Sequence, residues 1–159
     1  MEITYHPIGV IHSPFRQIAG MPIQSAGAAG VTGHVEVFPE YAAGLKDLQG
    51  FSHAFLLYHL HQVQGYQLTV TPFLDEERRG VFATRAPSRP NPIGLSVVRI
   101  EDIEGRIVRI EGVDILDGTP LLDIKPYIPE FDHHPAERVG WLESKKGRVQ
   151  NQTSDQRFR

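Results

Sequence analysis

The chain has no cysteine, one tryptophan and two methionines among 159 residues. Without cysteine there is no disulfide scaffold, no thiolate zinc or iron–sulfur site and no thiol nucleophile. Long apolar runs are also missing. The stretch around 54–57 is only a few residues, against the roughly 20 needed to span a bilayer. Residues 1–7, Met-Glu-Ile-Thr-Tyr-His-Pro, lack a basic segment followed by an apolar one, so a secretory leader is not expected. Several catalytic loops are absent: no Gly-Lys-Ser/Thr, no Gly-x-Gly-x-x-Gly after a strand, no Gly-x-Ser-x-Gly. The reading is a cytoplasmic chain with no membrane segment. A formal charge of −3 argues against a uniformly basic nucleic-acid binder.

What is present is enough for one folded domain: 40% hydrophobic and 22% charged residues. Fifteen glycines and twelve prolines cut the chain into short pieces, which favours strands over helices. Apolar or alternating runs predict strands at 3–12, 31–38, 51–60, 66–72, 80–84, 95–100 and 106–115. In the last, Val108 and Ile110 share one face. Short helices are predicted over 39–48 and 135–146. The fold class is mainly β: a single-domain β-barrel of short strands with one or two short helices. The domain is expected to run over 1–144, with 145–159 a polar, mobile tail.

Three constellations are candidates for chemistry. Residues 84–96, Thr-Arg-Ala-Pro-Ser-Arg-Pro-Asn-Pro-Ile-Gly-Leu-Ser, carry three prolines that stiffen the backbone. Arg85 and Arg89 offer planar guanidiniums suited to phosphate or carboxylate, and Asn91 is pinned between two prolines. The second runs from Asp114 to Tyr127. Asp117-Gly118 is a turn signal, and Asp123, Lys125 and Tyr127 alternate onto one face of an extended segment. The third is His53, His59 and His61, then His133-His134. Their spacing fits no known ligand signature, so no metal is expected. A single functional His61, followed by Gln62, is the better reading.

Residues 80–96, together with Asp117-Gly118-Thr119-Pro120 and Asp123-Ile124-Lys125-Pro126-Tyr127, resemble the two signatures of the TsaA-like, or TrmO-type, family. Ile8-Gly9-Val10-Ile11-His12-Ser13-Pro14-Phe15 and Gly50-Phe51-Ser52-His53-Ala54-Phe55 match as well. The resemblance covers about residues 5–132 and implies a β-barrel that binds S-adenosylmethionine and works as a homodimer. It also implies methyl transfer to N6 of threonylcarbamoyladenosine at position 37 of tRNA. Carried over by position, cofactor contacts fall on Pro22, Gln24, His61, Gln62, Arg85, Leu95, Leu116, Asp117, Gly118 and Thr119. Asn91, Asp123, Tyr127, Arg89 and Lys125 become the candidates for holding and polarising the acceptor nucleotide. Ile23 departs from the family's usual arginine. The family's bacterial members often carry a further C-terminal domain, where this chain has a helix and tail.

Methyl transfer from a sulfonium requires alignment and exclusion of water rather than a nucleophilic side chain. Three other readings stay open: an S-adenosylmethionine-binding module without catalysis, a methyltransferase with a small-molecule or protein acceptor, and a metal hydrolase using the histidines. The acidic total does not exclude tRNA, because Arg78–Arg89 holds four arginines and no acid.

Overall fold

The computed structural model describes residues 1–145 and 153–155. Its centre is a closed antiparallel barrel of six strands in the order β1-β2-β7-β6-β3-β8. These are β1 (Gly9–His12), β2 (Thr32–Val37), β3 (His53–His59), β6 (Ile93–Glu104), β7 (Ile107–Glu111) and β8 (Thr119–Pro126). Strands β4 (Thr69–Val70) and β5 (Arg79–Gly80) form a separate two-stranded ribbon. Closure removes exposed strand edges.

Alternation sets the inside of the barrel. Val35 and Val37 of β2, Leu56 of β3 and Val108 and Ile110 of β7 are almost fully buried. Leu121 of β8 completes this layer. A second, smaller cluster joins Val70, Val81 and Ala86, with Phe73 packed against it. It supports the proline-rich loop from the ribbon side. Two register shifts, between Leu57 and Tyr58 against β8 and between Ile100 and Asp102 against β7, bend the sheet.

The expected barrel is present, with changed bounds. Strand β1 starts at Gly9 rather than Ile3; Pro7 has no N–H to give a ladder. The expected strand at 66–72 shrinks to Thr69–Val70, and Leu68 is 60% exposed. The expected strand at 80–84 is instead β5 followed by a 3₁₀ turn, Val81–Ala83. Strand β6 extends to twelve residues. The extended segment expected around Asp123–Tyr127 is strand β8, which starts at Thr119.

Both expected helices are corrected. Over 39–48 the chain forms a 3₁₀ helix, Pro39–Leu45, ending near Gly44, and a second one at Leu48–Gly50. Leu45 and Leu48 are buried, but Tyr41 is not. Over 135–146 only Gly140–Lys145 is helical, again 3₁₀. Gly140 has φ +58, a left-handed conformation that stops any helix arriving from Pro135; residue 146 lies outside the described residues. The only α-helix among the described residues is α1 (Pro129–Asp132). None of the helices among the described residues is long and apolar enough to cross a membrane.

The tail was expected to be mobile from residue 145. Its described residues, Thr153–Asp155, are docked. Thr153 bridges Pro22. Ser154 N–H donates to Met21 O at 2.7 Å, and its carbonyl accepts from Gly20 N–H at 2.9 Å. The Ser154 hydroxyl donates to Ile18 O and accepts from Met21 N–H.

Candidate functional site

One end of the barrel opens into a cavity of about 340 Å³, within the range of small-molecule sites. Four segments of the chain build it. The loop after β1 brings Pro22 and Gln24, and the turn after β3 brings His61 and Gln62. The proline-rich loop and the start of β6 bring Arg85 and Leu95, and the turn before β8 brings Leu116 and Thr119. Eight of the ten residues expected to contact the cofactor therefore line one cavity. Ile23, the departure from the family pattern, lines it as well, and Ser154 of the docked tail closes one side.

Asp117 and Gly118 lie just outside the cavity and hold the turn in place. Asp117 Oδ1 accepts from Ser13 N–H at 3.1 Å, and Oδ2 pairs with Arg16 at 3.0 Å. His12 Nδ1 stands 3.4 Å from Oδ1. Partial desolvation works to raise the Asp117 pKa, but the Ser13 hydrogen bond, Arg16 and His12 outweigh it and hold the carboxyl below its usual range. Gly118 takes φ +78, and its N–H donates to Ile11 O at 2.9 Å. A residue with a β-carbon would strain this turn.

Two polar side chains that were not among the candidate site residues, Tyr58 and Asp114, line the floor, and Ser96 bridges them. Tyr58 Oη lies 2.9 Å from Ser96 Oγ, and Ser96 Oγ donates to Asp114 Oδ1 at 2.6 Å. Ser96 has one proton, and it is spent on Asp114, so Tyr58 donates to Ser96. Burial pushes the Asp114 carboxyl above its usual value, against the Ser96 hydrogen bond and the charge of Arg85. Burial likewise pushes the Tyr58 phenol far up, reinforced by Asp114. The signal that could have found this chain is Ser96 itself. It is a polar residue at an inward position of β6, between Gly94 and Val98.

Arg85 sits at the rim, exposed, with Nη1 donating to Gln24 Oε1 at 2.7 Å. Arg89 lines the cavity, but its Nη1 is given to the carbonyls of Val81, Thr84 and Ala86. It therefore clamps its own loop.

The structure does not bring the other acceptor candidates into the cavity. Asn91 is exposed on the loop. Asp123 and Lys125 pair with each other at 2.9 Å. They stand opposite Leu57 and Phe55 of β3, on the outer face of the barrel, because the inward positions of β8 are Leu121 and Ile124. Tyr127 packs on Phe55, with ring centroids 5.5 Å apart. The three do share a face, as expected, but it is the outside one. Among the histidines, His53 and His59 also face outward and only His61 reaches the cavity. Among the described residues, no group of three or more His, Asp or Glu is arranged to hold a metal ion.

S-adenosylmethionine carries a sulfonium, an ammonium and a carboxylate on an adenosine, whose purine is flat and whose ribose bears two hydroxyls. The residues fit it. A carboxyl lies at the floor, a guanidinium at the rim, and Met21, Leu60 and Ile115 supply apolar wall.

Residues 10–133 match a family model described as the tRNA-methyltransferase O N-terminal domain. A Pyrococcus abyssi protein, named a probable S-adenosyl-L-methionine-binding protein, is 55% identical over 99% of this chain and 86% of its own length. The tRNA (adenine(37)-N6)-methyltransferase of Escherichia coli is 34% identical over 90% of this chain, which spans 65% of that enzyme's length. The crystal structure of TrmO from Pseudomonas aeruginosa superposes with a TM-score of 0.75 at 39% identity, covering 89% of this chain and 63% of that one.

Proposed function

The chain belongs to the tRNA-methyltransferase O N-terminal domain family, and from that premise we propose that it is an S-adenosylmethionine-dependent tRNA methyltransferase. Its acceptor is N6 of the threonylcarbamoyladenosine at position 37, beside the anticodon. The observation that carries the reading is the 340 Å³ cavity, to which both family signature segments contribute, the first through Thr84, Arg85, Arg89 and Leu95 and the second through Thr119. When bound, the cofactor supplies a methyl group on a positively charged sulfur.

The chain's own residues bind, orient and exclude water. Asp114, held by Ser96 and Tyr58, faces the cationic part of the cofactor. Arg85, steadied by Gln24, takes its carboxylate. Met21 and Ile115 cover the flat part. Ser154 pins the Ile18–Met21 loop over the site, so that the donor is aligned in a water-poor space. Arg89 keeps the proline-rich loop rigid rather than touching the acceptor.

The domain runs over 1–144, and the tail contributes Ser154 to the site. The working form is a cytoplasmic homodimer. Ile93 and Leu95, 40% and 51% exposed, run from the cavity rim onto an apolar face of β6 next to Leu57 and Val97, and such a face suits a second copy. Sedimentation of wild type and Leu95→Glu tests this: the variant should be a monomer.

The transfer reading is tested with purified protein, labelled S-adenosylmethionine and tRNA from cells lacking this gene. Label in the adenosine-37 nucleoside supports it; label in no nucleoside overturns it. A second reading, binding without catalysis, has one observation in its favour. The Pyrococcus abyssi relative that spans nearly all of this chain is named only for S-adenosyl-L-methionine binding. Saturable cofactor binding without transfer to any RNA would favour it.

A further inference from the structure

A second cavity, of about 470 Å³, adjoins the first. The two share Ile23, Gln24, Phe73, Thr84 and Arg85, so a group in one can reach a group in the other across Arg85. Its remaining wall carries two aromatic rings, Phe82 and Trp141, among aliphatic residues. Phe82 is 77% exposed, yet it is fixed on the 3₁₀ turn Val81–Ala83. Carbonyls at both edges of that turn receive Arg89. The Arg89 guanidinium lies 6.0 Å from the Phe82 ring centroid. Trp141 comes from the 3₁₀ helix Gly140–Lys145, and its indole N–H donates to Ala83 O at 2.8 Å. Arg79 lies 5.9 Å from the Trp141 ring.

Among the described residues no acidic side chain lines this cavity, and Arg85 is the charged one. An exposed phenyl and a tethered indole beside the Arg85 guanidinium suit one chemistry: an unstacked nucleic-acid base with an attached phosphate. The Phe82 ring is left in water, and stacking against a base would bury it.

We infer that this second cavity is the acceptor pocket, and that it takes a purine base flipped out of an RNA loop against Phe82 and Trp141. The inference rests on the RNA-methyltransferase reading and moves the acceptor away from Asn91, Asp123, Lys125 and Tyr127. A base must leave its stack before its exocyclic nitrogen can be reached, and the junction at Arg85 and Thr84 would set that nitrogen beside the donor site.

Trp141 is the chain's single tryptophan, so its emission reports on this cavity. Full-length protein is titrated with an anticodon stem-loop RNA and, separately, with S-adenosylmethionine. The RNA should quench the emission to saturation. Phe82→Ala should weaken RNA binding roughly five- to a hundredfold, leave cofactor affinity unchanged, and be restored by Phe82→Tyr. Phe82 is outside the core, and thermal unfolding checks that the variant is folded. Unchanged RNA affinity in Phe82→Ala overturns the inference. So does emission that responds to S-adenosylmethionine alone, or to protein concentration alone as a second copy would produce. If RNA quenches and Phe82→Ala weakens it while no methyl reaches RNA, the pocket stands and the transfer reading fails. If transfer proceeds in Phe82→Ala at unchanged KM for RNA, the pocket fails and the transfer reading stands.

Discussion

The ring of Tyr58 lies against the bare α-carbon of Gly94: a β-carbon there would stand 2.1 Å from Tyr58 Cε2. The two residues pair across β3 and β6, and the missing side chain lets the phenol reach Ser96 and the cavity floor. The glycine that ends Pro-Asn-Pro-Ile-Gly is thus required by a residue 36 positions earlier in sequence, not by its own turn.

Gly94→Ala is accordingly expected to destabilise the fold by about 1–3 kcal/mol, the usual cost of overpacking. Chemical denaturation measures it. Tyr58→Phe in the same background would not relieve the clash, because the ring carbons rather than the hydroxyl make it.

Asp114 trades stability for binding. Its carboxyl is pushed above the usual value by burial, so the folded state holds its proton more tightly than the unfolded one. The stability this gives is complete below the unfolded value of 3.8 and is lost as pH rises through the folded value. Asp114→Asn should therefore unfold at a higher temperature than wild type at pH 7–8, with the difference closing as pH falls toward 4. The same variant should bind S-adenosylmethionine roughly ten- to a hundredfold more weakly, having lost a charged partner. Calorimetry reads both.

Much of the site was legible in the sequence, and what was not has a definite cause. The proline-rich loop, Gln24, His61 and the turn before β8 reach one cavity because each sits at a strand end on the same side of the barrel. Alternation correctly put Asp123, Lys125 and Tyr127 on one face. It cannot say which face is inside, since that depends on pairing Leu57 with Asp123 and Leu56 with Ile124. The hydrogen bonds of Ser96 to Tyr58 and Asp114 cross 38 and 18 residues of sequence, and only barrel closure brings them together. Trp141 was overlooked for a different reason: its segment read as a helix over 135–146, whereas Gly140 turns the backbone.

Ser154 fastens the loop over the donor cavity with its hydroxyl and both backbone groups. Ser154→Ala keeps the backbone bonds and removes the hydroxyl ones, a loss of about 1 kcal/mol. Amide hydrogen exchange should be several-fold faster at Met21, whose N–H that hydroxyl accepts, and unchanged in β2 and β7. Equal rates at Met21 would show that the tail does not hold the loop.

The guanidinium of Arg89 is committed to three carbonyls of its own loop. Arg89→Met keeps the stem and removes the donor that all three carbonyls share. It is expected to lower stability by about 1–3 kcal/mol and to weaken cofactor and RNA binding together. A selective loss of RNA binding, with stability intact, would instead make Arg89 a phosphate contact.

The central claim is methyl transfer to one base of tRNA. The most direct measurement is mass mapping of that methyl. Purified full-length chain is incubated with S-adenosylmethionine and tRNA bearing threonylcarbamoyladenosine, the anticodon-loop fragment is isolated, and its nucleosides are identified. One added methyl is expected, on N6 of the adenosine at position 37, at wild-type level in Asn91→Ala and strongly reduced in Asp114→Asn. A methyl on another nucleoside, or an unmodified loop in the presence of tightly bound cofactor, would contradict it.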